Sequence, residues 1–546
     1  MSRIRAPELG PIVGHTTDHS CRLWIRGQDS ADSGADLASE RRTIGVIAVT
    51  ARTGGDIPDP MPVYYFRLHR EFDRTGTFNL GEDVSIGGVG EPYRLEPGIE
   101  YWVRMGTLTL DDPYANDESV SDEHLAERLP PLGQWLVEEL LHKDFPETKS
   151  EAVFRTLPDE SALADRQRFI LGSCRYPGLL WKVKEADKIF APLMKTALEP
   201  DSGPKSNFVL MVGDQIYADM FNKNIPIGLA DTFEEFQDRY HSAFGSRNMR
   251  ELLRHVPTYM ILDDHEIEDN WTQDRIRKRD KRVLFNIAMN AYMSYQWSHG
   301  PRNFGKRLFY NFDCGGYPFF VLDTRTQRYL DNLEETVSDN HLLGRPSHDP
   351  ATEPAQLDRL LDWLKAQPLD IPKFIVSSSV FAPNPVSAYE GDGDKDNVKR
   401  KKESDSWPAF PSTRRTLLQC IVENEIQNVV FLSGDIHCSN IAELTFSGPD
   451  PVADIKAFSI TSSALYWPFW FADGEPSHYV HDSTKEKDSF KISDSVTMDY
   501  TARNFTQEDN YCLVDIDRSE ARITVTPYGT KGEVVTAPAQ LALTPW

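Results

Sequence analysis

A chain of 546 residues is too long for one hydrophobic core, so two domains are expected. Its 40% hydrophobic and 11% aromatic content is that of a folded protein, and no apolar run reaches the ~20 residues that span a bilayer. The formal charge of −25, from 84 acidic and 59 basic side chains, argues against a general grip on nucleic acid and requires any bound anion to be held by local positive charge.

The start, Met1 to Gly10, carries two arginines but no apolar stretch behind them. No signal peptide is therefore expected, and the expected location is the cytoplasm, or outside it if a leader precedes Met1. The six cysteines (21, 174, 314, 420, 438 and 512) contain no C-x-x-C pair, which fits neither a disulfide framework nor a zinc ribbon.

The first part of the chain reads as β-rich. Cys21–Arg26 and Val63–Leu68 alternate with period two, and Tyr101–Arg104 follows the turn Glu96-Pro97-Gly98. Short strands at these intervals predict a small β-sandwich over 1–160, with a mobile loop at Gln28–Glu40 and a helical excursion at Gln134–His142. Phe154 to Pro158 closes it, and a polar linker runs to Asp165.

From residue 166 to 546 the pattern becomes α/β. Apolar strands are predicted at Phe169–Leu171, Phe208–Val212, Thr258–Leu262, Pro318–Leu322, Phe374–Val376, Val429–Leu432 and Phe458–Thr461. Thr352–Gln367 has leucines at helical spacing (357, 360, 361, 364), and a helix is expected around Cys420. Near-continuous apolar strands predict sheets covered on both faces. Tyr511–Ile516 and Ala521–Pro527 should form a hairpin. Two inserts interrupt the alternation: a charged loop at Gly391–Ser404, and Leu465–Tyr500, which opens with six large side chains (466–471) and continues polar.

Five of these strands run into loops rich in ligand-type residues. They are Gly172-Ser173-Cys174-Arg175, Gly213-Asp214-Gln215-Ile216-Tyr217-Ala218-Asp219, Asp263-Asp264-His265-Glu266 with Asn270 close behind, Asp323-Thr324-Arg325, and Ser433-Gly434-Asp435-Ile436-His437. Ligands of open α/β sheets bind at the carboxyl ends of the strands. Asp214 and Tyr217, three apart on a tight turn, are expected to converge on one ion. Asp435 and His437, two apart on an extended segment, should point the same way. Glycines 172, 213 and 434 are expected to supply backbone freedom for the turns. Arg175, beside Cys174, is the candidate for a bidentate phosphate clamp.

Taken together these blocks resemble the alkaline phosphatase D (PhoD-type) family of calcineurin-like metallophosphoesterases. The resemblance runs from about Gly10 to Ile516. It implies an α/β/β/α metallophosphoesterase sandwich preceded by the β-sandwich, and a multinuclear centre of Fe³⁺ with Ca²⁺, or another divalent ion such as Mn²⁺, Mg²⁺ or Zn²⁺. Carried over by motif, Asp214 would bridge metals, Cys174 and Tyr217 would bind the ferric ion, and Asp264, Asp435 and His437 would complete the shell. His265 would face the scissile phosphate, with Asn270, Asp323 and Arg325 touching metal, substrate or the ligands themselves.

The expected function is hydrolysis of phosphate monoesters or diesters by metal-activated hydroxide, on a small phosphate-ester substrate and not nucleic acid. The alternatives are a diesterase acting on a phospholipid or teichoic-acid-like polymer, hydrolysis of a non-phosphorus ester on the same metals, and a non-catalytic protein in which the metal site is structural.

Overall fold

The computed structural model describes residues 4–28, 42–52, 61–88, 90–110, 119–130, 147–159, 163–178, 183–201, 203–220, 229–303, 307–330, 340–350, 352–384, 406–469, 483 and 489–546. The expected helical excursion at Gln134–His142 and the charged loop at Gly391–Ser404 lie outside these residues. So do all but the first residue of the loop at Gln28–Glu40, residues 160–162 of the linker, and Trp470 and Phe471. The chain divides into two compact units, the first comprising 1–162, 240–259 and 290–302, the second 163–239, 260–289 and 303–546.

In the first unit, β1 (Leu9–Thr16), β2 (Cys21–Arg26) and β5 (Thr75–Leu80) form one antiparallel sheet. A second is ordered β4-β3-β6-β7, from Val63–Arg67, Thr43–Ala51, Glu100–Thr109 and Glu151–Arg155. Val13, Leu23, Ile25 and Phe78 of the first sheet share a core with Ile47, Val49, Phe66, Val103 and Phe154 of the second, which makes the unit a β-sandwich. The two later segments pack within it: Trp24 Nε1 donates to Ser294 O at 2.8 Å and Arg250 Nη2 to Gly10 O at 2.9 Å. The nine-residue strand β3 was not anticipated. Its run Ile-Gly-Val-Ile-Ala-Val is buried on both faces and so lacks the period-two signature of a half-exposed strand.

Among the described residues, the second unit holds two sheets. Strands β8 (Arg166–Gly172), β9 (Phe208–Met211), β10 (Thr258–Met260, whose last residue falls in this unit), β19 (Asn510–Asp517), β20 (Arg522–Gly529) and β21 (Ala539–Ala542) are ordered β10-β9-β8-β19-β20-β21. The other eight are β11 (Tyr310–Cys314), β12 (Tyr317–Val321), β13 (Lys373–Val376), β14 (Val429–Ser433), β15 (Ser439–Ser447), β16 (Ala457–Thr461), β17 (Phe490–Lys491) and β18 (Thr497–Thr506). They are ordered β11-β12-β13-β14-β16-β15-β18-β17, and β12, β13, β14 and β16 are mutually parallel.

The sheets face each other through phenylalanines: Phe169 of β8 packs edge-on against Phe319 of β12 and Phe374 of β13, with ring centroids 5.5 Å apart in both pairs. Helices cover the outer faces. Helices Gln356–Ala366 and Pro411–Glu423 bury Leu360, Leu364, Leu417 and Ile421 in the core of the eight-stranded sheet, while Phe190–Leu198 lies against β8. The layers are therefore α/β/β/α, an α/β fold. The insert expected to run from Leu465 to Tyr500 is shorter than that, because β18 begins at Thr497 and pairs with β15. Its burial alternates, but Asp499 and Arg503 made the segment read as loop.

Candidate metal centre

Each ligand loop leaves the carboxyl end of a strand, and each turn has a local cause. After β9, Gly213 takes φ +107° and Asp214 φ 58°, which turns the chain back on itself. A Cβ on Gly213 would lie 2.4 Å from Asp263 Cβ, so glycine also lets the two loops touch. Gly172 and Gly434 do not use positive φ. Glycine is needed there for space, since a Cβ would meet Leu465 Cδ2 at 2.8 Å and Ser173 Oγ at 2.2 Å respectively. After β10 a short 3₁₀ turn, Asp264–Glu266, is capped by its own residues. The Glu266 carboxylate accepts from the backbone N–H of Asp263 (2.9 Å), Asp214 (3.2 Å) and Gln215 (2.7 Å), and so clamps two ligand loops together.

The segment carrying Asp435 and His437 is not extended. Both residues have positive φ, 68° and 49°, and the N–H groups of Ile436 and His437 bond back two residues to Gly434 O and Asp435 O. Two tight turns in succession set these side chains, not strand alternation.

Among the described residues, three groups of ligand-type atoms lie within 4.8 Å of one another, and Asp214 belongs to all of them: Cys174, Asp214 and His437; Asp214, Asp264 and His265; Asp214, Asp263, Asp264 and Asp435. Tyr217 Oη is 3.2 Å from Asp214 Oδ2 and 3.4 Å from His437 Nε2. Cys174 Sγ is 3.5 Å from Asp214 Oδ2. Ser463, on the loop after β16, places its hydroxyl 3.1 Å from Cys174 Sγ and accepts from His437 N–H at 3.0 Å. His265 Nδ1 lies 2.8 Å from Asp219 Oδ1. Trp467 stacks on His437 with centroids 3.7 Å apart, within a cluster of Tyr176, Tyr217, Tyr466 and Phe469.

The remaining expected residues fall elsewhere. Asn270 acts through its backbone, donating N–H to Asp264 Oδ2. The Asp323 carboxylate is engaged by its own loop, through the N–H of Arg325 (3.2 Å) and Thr326 (2.8 Å) and the Thr326 hydroxyl. Arg325 is fully buried and ion-paired with Asp263. Arg175 is also buried: its N–H donates to Asp214 O at 2.9 Å, while its guanidinium lies 5.7 Å over the Phe190 ring. Asp219, Asp263, Glu266 and Ser463 were given no role from sequence. The first three stand inside the quoted motifs, which is the signal that was available for them.

The electrostatics call for a cation. Burial, with Cys174, Asp263 and Asp264 nearby, pushes the Asp214 carboxyl well above the usual range. Burial pushes the Cys174 thiol up to about 12 against hydrogen bonds from Ser173 and Ser463, and burial plus Asp214 push the Tyr217 phenol up. Burial also opposes the charged forms of Asp264 and His265, yet Arg325 and His265 hold Asp264 down to about 2, while Asp264 and Asp219 raise His265 to about 10. Asp214 Oδ1 is buried with no hydrogen-bond partner. Buried carboxylates at this density, with oxygens lacking any donor, fit a metal centre with mixed O, N and S ligands.

The profile of the family described as PhoD-like phosphatase matches residues 188–524, more than half of the chain. The chain belongs to the PhoD-like phosphatase family. Alkaline phosphatase D of Bacillus subtilis (strain 168) is 24% identical over 218 residues, 38% of this chain and 36% of that protein. The chain thus spans about a third of the length of the curated relative it matches. A solved structure described as the structure of PhoD superposes with a TM-score of 0.60 at 16% identity, covering 98% of this chain and 89% of that one. The fold of the PhoD-like family therefore extends to both units. No helix among the described residues is long and apolar enough to cross a membrane.

Proposed function

We propose that this protein hydrolyses phosphate esters, monoesters or diesters, at a metal centre held by Cys174, Asp214, Tyr217, Asp264, Asp435 and His437. The observation that carries the reading is the convergence of these side chains, from separate strand-end loops, around one buried carboxylate with an unsatisfied oxygen. Bound ions would supply charge neutralisation and an activated water. Fe³⁺ beside Tyr217 and Cys174 and Ca²⁺ or another divalent ion among the carboxylates suit the donor types, since phenolate and thiolate form only beside a strongly polarising ion.

The chain's own residues do the rest. His265, with Nδ1 held by Asp219, delivers a proton from Nε2 to the leaving-group oxygen. Glu266 and Asn270 fix the ligand loops. Arg175 would clamp the phosphate once its guanidinium swings from Phe190 toward the centre. In this reading the region from 166 onward carries the chemistry and the sandwich of 1–160 is an accessory module.

The test is metal analysis of protein purified without added ions, with hydrolysis of aryl phosphate mono- and diesters. Iron bound through Tyr217 should give a visible charge-transfer band that Tyr217→Phe abolishes. A colourless, iron-free and fully active enzyme would leave a purely divalent site, and a protein with neither metal nor esterase activity would remove the proposal.

A further inference from the structure

Four carboxylates, of Asp214, Asp263, Asp264 and Asp435, lie within 4.8 Å of one another. They differ in how they are neutralised. Arg325, on the loop after β12, has no exposed side-chain surface and donates Nε to Asp263 Oδ1, itself fully buried. The same guanidinium lies at ion-pair range of two more acids, Nη2 being 3.6 Å from Asp264 Oδ1 and 3.9 Å from Asp435 Oδ1. Asp263 is thus already hydrogen-bonded to a cation, with Asp264 and Asp435 within its field.

Neither partner of the bonded pair is free to leave. Asp263 is pinned by its N–H to Glu266 and by Gly213 pressed against its Cβ. Arg325 is pinned by its N–H to Asp323, whose carboxylate also holds Thr326. A guanidinium stays charged throughout the working pH range and is weakly hydrated, so it tolerates complete burial beside a carboxylate. The pair also links the two sheets, because Asp263 follows β10 and Arg325 follows β12.

Building on the metal-centre reading above, we propose that Arg325 occupies the place of a metal ion on Asp263. Asp263 is then a counter-ion partner and not a ligand, and the metals are left with Asp214, Asp264 and Asp435. Arg325 becomes a positioning residue that lowers the cation demand of the empty centre and lets its loops assemble before metal arrives.

A double-mutant cycle tests this with Arg325→Met, Asp263→Asn and the combination, read by metal bound per chain at limiting metal and by the Tm of metal-stripped protein. Arg325→Met should lower the metal-free Tm, with recovery on adding Mn²⁺ or Ca²⁺. Asp263→Asn leaves a guanidinium facing the remaining acids and should weaken metal binding by about 10–100-fold. The double variant should return both quantities close to wild type. If Asp263 is a ligand, Asp263→Asn and the double variant will lose metal equally, which overturns the proposal. If Arg325→Met does not fold, a folded double variant supports the pairing and an unfolded one refutes it. Should wild type bind no metal, the metal-centre reading fails by itself, while the pattern of metal-free Tm values still decides whether the two residues act as a pair.

Discussion

Asp214 and Asp323 are both buried acids just past a strand end, but their surroundings assign them different work. Asp214 keeps an oxygen without a donor and joins every group of ligand-type atoms, whereas Asp323 has its carboxylate taken up by the N–H groups of Arg325 and Thr326 and by the Thr326 hydroxyl. Asp214→Asn should therefore abolish turnover together with metal binding, while Asp323→Asn, acting through the loop that carries Arg325, should cost ~10–100-fold with most of the metal retained. Metal content and hydrolysis rate measured on both variants check the difference, and an Asp214→Asn protein with full metal and near-normal rate would displace it from the centre. The sequence made these two aspartates look alike because both follow an apolar strand. What separates them is the hydrogen bonding of the next three residues, which no spacing rule reveals. The same holds for Asp263 and Asp264, adjacent in the chain and aimed at different partners. Cys174 was readable only through the company of the other motifs, since a single buried cysteine is most often a small hydrophobe.

At the scale of elements, strands were legible where an apolar run ended in a glycine- or acid-rich loop, as at Phe169–Leu171 and Val429–Leu432. They were missed where burial on both faces erased alternation (β3) or charged side chains interrupted it (β18). The helix Arg279–Tyr295 escaped for the second reason, its first turn being Arg-Asp-Lys-Arg. Glycine's two uses at strand ends lead to a prediction. Gly213→Ala combines a left-handed backbone with a Cβ 2.4 Å from Asp263 and should cost about 1–3 kcal/mol from backbone strain alone, while displacing Asp263 and releasing metal. Denaturation and metal content read the two effects separately. In the eight-stranded sheet, β13 begins with Lys373, buried, with Nζ donating to the carbonyls of Leu369 and Ile371 (2.7 Å each) and Gln427 (3.1 Å). Burial lowers its pKa from the usual lysine value to about 7, against Asp370. The unfolded chain then binds a proton that the folded chain lacks between about pH 7 and the ordinary lysine range of roughly 10.4, so this residue's contribution to stability rises with pH across that window and is lost as pH falls through 7. The difference in unfolding free energy between wild type and Lys373→Met should grow from pH 7 to 9.5 and stay flat below 7. A difference independent of pH would mean the lysine remains charged in the fold.

For the molecule as a whole, a net charge of −25 sets the long-range field, whereas the centre acts over a few ångströms. At low salt this field should repel single-stranded DNA while leaving small aryl esters nearly untouched, and raising the salt should help only the polyanion, because screening becomes strong beyond about 10 Å at 0.1 M. Comparing kcat/KM for the two substrate types at two ionic strengths checks this, and faster cleavage of DNA at low salt would show that local charge at the mouth of the site outweighs the net field. The burial of the thiols reaches beyond structure into reactivity. None of the six cysteines is in a disulfide and all are buried, Cys21 in the sandwich unit and the other five in the second. A thiol-alkylating reagent should therefore label almost nothing on the folded protein, and each label that appears will time an opening event. Cys174, shielded by its neighbours and by any ion it holds, should respond to chelation. Cys512, in the hydrogen-bonded ladder between β8 and β20, should wait for the sheet itself to come apart. Whether Cys21 becomes reactive together with Cys512 or ahead of it would show by mass spectrometry if the two units unfold as one or in turn.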